Sequence, residues 1–417
     1  MKNFEEDLFN ENVMTLDTYI MFKLKEKTNQ LTPELKAKNR APISLSMGAP
    51  TANPPKYILD SLKNCLDEPG IHMYSVPKGE QFFREAIGKY MHRRFNVDLD
   101  VNTEIFSLIG SKEGIANLVR AMVNPKHEEK DKDIIMVPDP GYASYSQFIQ
   151  CSGGLAYPVP LTEENKYMPD MEEVFNKLEK DGFDKNKVKA LIINYPNNPL
   201  GASATREYVQ SVIDFCKRHG ILLISDAAYC ELYFSEDEKP FSVFELDGAK
   251  DVAVEFFSFS KPYAITGWRL GWICGNKTVI SRFGKCKSTI DNGIFKALQK
   301  AAADVLNSKE GDEYIAEMNE GYKRKQAILV KGFKELGWNI DEKKVPHTTF
   351  YLWLPIPRKY TNAFDFCADL LEKSGIVTVP GNAFGSHGEG YFRVSFVCSD
   401  EQLQEVIDRM KADGFTY

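Results

Sequence analysis

Residues 189–226, KALIINYPNNPLGASATREYVQSVIDFCKRHGILLISD, decide the fold. Lys189–Asn194 and Ile221–Ser225 are short aliphatic runs of strand length. Between them, Tyr195–Ala204 is rich in Pro, Asn and Gly and reads as a turn. A helical pattern follows, with Val209, Val212, Ile213 and Cys216 on one face. Thr205 supplies its N-cap and His219-Gly220 its stop. Strand, helix and strand at this spacing form a βαβ unit, so the two strands run parallel.

The same texture extends in both directions. Ile105–Ile109 reads as a strand, then Gly110-Ser-Lys-Glu-Gly114 opens a helix carrying Ile115, Leu118, Val119 and Met122 at helical spacing. Asp133–Val137 and Asp251–Ser258 continue the strand series. The charged run His127–Asp133 reads as a solvated loop. These signals predict an α/β fold whose functional loops lie at the C-terminal ends of parallel strands. After about residue 290 the pattern changes to helices over 293–307 and 311–336, strand 350–354, helix 363–374 and strand 391–396. Ser399 and Gln402 make a capping box for a final helix. The expected division is an N-terminal arm and part of the small domain at 1–60, a large domain at 61–305, and a small α+β domain at 306–417.

The whole chain has 417 residues, with 52 basic and 59 acidic side chains, a net charge of −7. That balance gives no reason to expect nucleic acid or an anionic membrane as partner. No apolar run approaches membrane-spanning length. The N-terminal MKNFEEDLFN is acidic where a signal peptide is basic, and the eight cysteines have no CxxC spacing. A cytoplasmic protein with reduced, buried thiols is expected.

One stretch carries chemistry. In Ser258-Phe-Ser-Lys-Pro-Tyr-Ala-Ile-Thr-Gly-Trp-Arg-Leu-Gly271, Lys261 sits just past a strand end. Such a lysine either reaches solvent or is buried, and burial would lower its pKa toward a usable nucleophile. The stretch resembles the lysine signature of class I pyridoxal-phosphate aminotransferases, SxSKxxxxxGxRxG, with every fixed position filled. The resemblance continues in family order through DPGY (139–142), NPLG (198–201), DAAY (226–229), PGNAFG (380–385) and Arg393-Val-Ser395.

It implies a fold-type-I enzyme, with a mostly parallel seven-stranded sheet and a smaller α+β domain. The implied cofactor is pyridoxal 5′-phosphate, carried by Lys261 as an internal aldimine. By the same resemblance, Asp226 faces the pyridine nitrogen, which needs a carboxylate to stay protonated. Tyr229 and Asn198 contact the phenolate oxygen, and Tyr142 stacks on the ring. Gly110, Ser111 and Lys112 open a helix that receives the phosphate, a natural anion site. Ser258, Ser260 and Arg269 add hydroxyls and a planar cationic fork. Arg393 takes the substrate α-carboxylate, with the Gly48 backbone beside it. A strand-interior arginine between Phe392 and Val394 is otherwise expensive, which agrees with this role. Tyr74 is implied to reach the phosphate of a partner subunit, hence a homodimer. His347, next to a strand bordering the substrate pocket in the family, reads as a surface residue.

The implied activity is ping-pong transfer of an α-amino group from an L-amino acid to a 2-oxo acid, 2-oxoglutarate being the expected acceptor. Aspartate, alanine and LL-diaminopimelate are the candidate donors; the GSKEG loop resembles that of some LL-diaminopimelate aminotransferases. A carbon–sulfur β-lyase shares nearly all these motifs and stays open as an alternative. A non-catalytic pyridoxal-phosphate-binding regulator fits less well, since the match begins near residue 48 and the net charge is negative.

Overall fold

The computed structural model describes residues 8–16 and 20–417. The acidic segment 1–7, read above against export, lies outside them. A seven-stranded sheet is built from β2 (Ile105–Leu108), β3 (Ile134–Asp139), β4 (Leu155–Pro160), β5 (Val188–Ile193), β6 (Leu222–Asp226), β7 (Ala253–Ser258) and β8 (Gly271–Gly275). β1 (Ile43–Ser44) lies apart from it. The strand order is β2-β8-β7-β6-β5-β3-β4, and β8 alone runs antiparallel to its neighbours.

The side-chain period of two sends alternate residues into two cores. Leu191, Leu223 and Phe257 join the cluster on one face, under helix Arg206–His219. Ile192, Ile224 and Phe256 join the other, under helices Ser111–Met122 and Ser144–Cys151. Both faces are covered, which is why these strands read as continuous apolar runs.

A second core forms around β9 (Tyr351–Pro355), β11 (Val379–Pro380) and β12 (Tyr391–Ser395), an antiparallel sheet in the order β11-β12-β9. Phe392 and Val394 point into this core with residues of helices Lys309–Glu335, Ala363–Ser374 and Asp400–Ala412. Arg393, between them, faces the other way. β1 pairs in parallel with β10 (Ile376–Val377) and so ties the N-terminal segment to this second layer. Ser399 and Gln402 do form a capping box, and Thr205 and Gly220 do cap helix Arg206–His219.

Several expectations need correction. β4 was not anticipated: Pro158 and Pro160 argue against a strand, but β4 lies at the sheet edge, where proline is tolerated. β8, five residues ending in glycine at both sides, was also unseen. Asp251 and Val252 end a short helix and do not begin β7. Asp133, the last residue of the charged run, is buried, and its carboxylate accepts from the backbone and side-chain N–H groups of Asn124. Cys151 is exposed and Cys286 half-buried, so the thiols are all free but not all buried.

Candidate active site

The C-terminal ends of the parallel strands and the polar side of β12 face one cavity of about 430 Å³. β6 delivers Asp226 and β7 delivers Ser258, and the bend after β7 carries Ser260, Lys261 and Arg269. The loop after β5 brings Asn198, that after β3 brings Tyr142, and the second layer contributes Arg393 and Tyr351.

Lys261 is half-buried in the cavity, and its Nζ donates to the Gly48 carbonyl. Burial lowers its pKa to about 8, helped by the positive charges of Arg393 and Arg269; Asp226 opposes the shift. The amine thus titrates near physiological pH, so a neutral fraction is available there. Asp226 shows the opposite stress. Burial raises its pKa, while hydrogen bonds from the Tyr145 hydroxyl (2.6 Å) and the Ala228 N–H (3.2 Å), and the Lys261 charge, pull it back. A buried carboxylate still pushed upward lacks a full counter-charge, and a protonated ring nitrogen in the cavity would supply it.

The phosphate end has its own construction. Gly110 N-caps helix Ser111–Met122 with φ +83°, a conformation side chains rarely adopt. The Arg269 guanidinium lies against it, so closely that a methyl on Gly110 would sit 2.3 Å from Nη2. Arg269 is held by the Thr266 carbonyl at 2.9 Å. Free N–H groups, the positive helix end, the Ser111 and Ser258 hydroxyls and a guanidinium therefore converge on one anion-sized corner.

At the far wall, Arg393 is buried and donates to Asn198 Oδ1 and the Ser46 carbonyl, each at 2.7 Å. Its Nε is buried without an acceptor, and its guanidinium lies 4.2 Å from the Tyr351 ring centroid and 4.8 Å from that of Phe384. A buried cation with an unused donor is an unfinished anion site. Tyr229 and Tyr351 share a 2.8 Å hydroxyl contact, and burial keeps the Tyr229 phenol protonated.

The cavity thus gathers Gly48, Ser111, Lys112, Tyr142, Asn198, Asp226, Tyr229, Ser258, Ser260, Lys261, Arg269 and Arg393, with Gly110 at its edge. Tyr74 lies outside, 86% exposed. His347 is half-exposed, its ring paired with Glu238 at 2.8 Å. Sequence reading missed Tyr145, Asn194, Ser46, Tyr351 and Phe384. Asn194 is the brace of the group: it donates to the Asp226 carbonyl (2.8 Å) and accepts from the Asn198 N–H (2.9 Å). Its place at the end of the KALIIN run was the available signal.

A larger cavity, about 590 Å³, lies behind the 195–204 loop and is lined in part by Ser225 and Glu255. Burial pushes the Glu255 carboxyl up to about 7, and Ser225, Ser242 and the Val243 N–H all donate to it. The Glu255 carboxyl is fully bonded by these donors, whereas the lysine-centred cavity keeps a lowered-pKa lysine and an arginine with an unused donor.

Comparison with known proteins agrees with this geometry. The family description "Aminotransferase class I and II" matches residues 40–410. LL-diaminopimelate aminotransferase 2 of Trichormus variabilis is 41% identical over 376 residues, covering 90% of this chain and 92% of that one. LL-diaminopimelate aminotransferase of Aquifex aeolicus is 38% identical over 403 residues, covering 97% and 98%. Among solved structures, substrate-bound BacF from Bacillus subtilis superimposes with a TM-score of 0.87 at 32% identity, covering 97% of each chain. With this match over most of its length, the chain belongs to the class I and II aminotransferases, pyridoxal-phosphate-dependent enzymes of fold type I.

Proposed function

We propose that this aminotransferase takes the α-amino group from LL-diaminopimelate and gives it to 2-oxoglutarate. The supporting observation is that relatives bearing that name are 35–41% identical over 88–98% of this chain. Pyridoxal phosphate, when bound, supplies an aldehyde and an electron-withdrawing ring; the remaining work falls to side chains. Arg269, Ser258, Ser260, Lys112 and the N–H groups after Gly110 hold the phosphate. Tyr142 covers the ring, Asn198 and Tyr229 hold its phenolate oxygen, and Asp226 keeps the ring nitrogen protonated. Arg393 and the Gly48 backbone orient the substrate α-carboxylate, which turns the Cα–H toward Lys261. The Lys261 amine, when neutral, would take the Cα proton as general base and give it back as general acid.

The active assembly in this reading is a cytoplasmic homodimer, with no nucleic acid or membrane partner. Among the described residues no helix is long and apolar enough to cross a membrane. The dimer reading rests on an exposed apolar strip. Met73, Tyr74 and Val76 lie in one segment and Ile290 and Phe295 in another, and the segments are joined by stacking of His72 on Phe295. A partner copy would cover the strip and receive Tyr74. The division at residues 1–60, 61–305 and 306–417 belongs to the same reading.

Purified holoenzyme should form glutamate from LL-diaminopimelate and 2-oxoglutarate faster than from aspartate or alanine. Equal or faster transfer from aspartate would sink the substrate assignment. Pyruvate and ammonia from a sulfur amino acid, without glutamate, would replace transfer by β-elimination.

A further inference from the structure

β3 ends on Asp139, whose carboxylate is buried yet bonds nothing in the lysine constellation. It reaches across to the second layer. Oδ1 accepts the backbone N–H of His387 at 3.1 Å. Oδ2 accepts the Ser386 hydroxyl at 2.8 Å and lies 2.9 Å from His387 Nδ1. Two residues on, the Gly141 N–H donates to the Phe384 carbonyl at 2.8 Å.

Gly385 shows how closely the two parts fit. Its φ of +131° belongs to glycine, and a methyl there would lie 2.0 Å from Asp139 Oδ1. The carboxylate occupies the space a side chain would need. The turn it grips carries Phe384, whose ring covers the Arg393 guanidinium, while the same β3 loop carries Tyr142. One carboxylate therefore joins the cavity wall of Tyr142 to the wall of Arg393.

We propose that Asp139 is a positioning residue for substrate recognition: it clasps the Gly385–His387 turn so that Phe384 shields Arg393 and fixes it relative to Tyr142. This rests on the reading that Arg393 receives the substrate carboxylate. A carboxylate suits the task because three donors converge on it, and an ionised acceptor makes stronger bonds than a neutral one. Without the clasp the turn is free to shift, water reaches the guanidinium, and an anion there binds less tightly. Cofactor retention is untouched, since the anion corner at Gly110 and Arg269 lies on other loops.

The test uses holoenzyme titrated with succinate, a dicarboxylate without an amino or keto group, followed through cofactor absorbance. Asp139→Ala should raise the succinate dissociation constant, and KM for amino and keto acid, by about 10- to 100-fold. kcat should fall by only a few-fold, and the rate of cofactor release should match wild type. Ser386→Ala, a milder change that serves if Asp139→Ala does not fold, should weaken succinate by about threefold. Ser386→Ala added to Asp139→Ala should cost nothing more, because the two act through one contact. Unchanged succinate affinity in both single variants, or a loss confined to kcat or to cofactor retention, overturns the proposal. Arg393→Lys is run alongside. If Arg393→Lys weakens succinate and the clasp variants do not, the clasp alone falls. If Arg393→Lys binds succinate as wild type does, the carboxylate assignment falls and takes the clasp with it.

Discussion

The Tyr145 hydroxyl donates to Asp226 Oδ2 across 2.6 Å, both groups shut away from water. Tyr145 stands three residues beyond Tyr142, so one short segment brings both tyrosines into the cavity beside Asp226.

Removing that hydroxyl leaves the Asp226 side chain with the Ala228 N–H as its remaining hydrogen-bond donor. Tyr145→Phe should lower kcat by about 10- to 100-fold, the equivalent of one charge-assisted hydrogen bond. Asp226→Asn removes the counter-charge itself and should cost about 3–5 kcal/mol, roughly 150- to 5,000-fold in kcat, with fold and bound cofactor retained. Steady-state kinetics beside cofactor absorbance checks both. An Asp226→Asn enzyme with near-normal kcat would show that the carboxylate serves something other than the ring nitrogen.

Lys261 should be the residue to which borohydride fixes the cofactor, as read by peptide mapping; label on Lys112 would refute the assignment. Its pKa of about 8 also has a pH signature in the apoprotein. Addition of pyridoxal phosphate needs the neutral amine, so the rate should rise with pH through about 8. Stability carries the matching sign. Between pH 8 and the unfolded value near 10.5 the unfolded chain binds the extra proton, so stability gains with rising pH across that window. Lys261→Met should abolish that gain in denaturant titrations at successive pH values.

Arg393→Lys keeps the charge but loses the planar fork. A loss of about 2–3 kcal/mol, roughly 30- to 150-fold in kcat/KM, is expected for amino acid and keto acid alike. Cofactor dissociation should stay as in wild type. If instead the variant sheds pyridoxal phosphate and keeps its substrate KM, Arg393 and Arg269 have exchanged roles.

Gly110→Ala meets Arg269 Nη2 and also a positive φ. About 1–2 kcal/mol of strain should appear as roughly tenfold weaker cofactor retention, with a small fall in Tm. Equilibrium dialysis against graded pyridoxal phosphate measures it, and unchanged retention would remove the helix start from the anion corner.

The central sheet was legible because β5, β6 and β7 are buried on both faces, so burial wrote itself as apolar runs. β4 was hidden for the converse reason: an edge strand needs neither alternation nor freedom from proline. The lysine segment was readable through its resemblance to the family signature, which spans Ser258, Lys261 and Arg269 in one bend. Tyr145 and Asn194 were not, since a tyrosine or asparagine near a strand end has no local feature separating a brace from ordinary core. Tyr351 lies in the strand expected at 350–354 but touches Tyr229 across 122 positions, a proximity only the fold creates. Asp139 lay inside the DPGY motif, yet its partners are some 247 positions away.

β8 turns back against β7, with Gly271 directly opposite Ser258. The two ends of the lysine bend are thereby locked in register, and the bend behaves as a calliper of set opening. One jaw is Lys261 and the other Arg269, and no loop elsewhere in the sheet alters their separation. Lengthening the bend by one residue would displace Lys261 or Arg269 while leaving every side chain intact. Arg393 has its own register, opposite Trp353 on β9 and Val379 on β11, while Phe384 beside it comes from the turn after β11. The lysine bend therefore tolerates substitution more readily than any change of length.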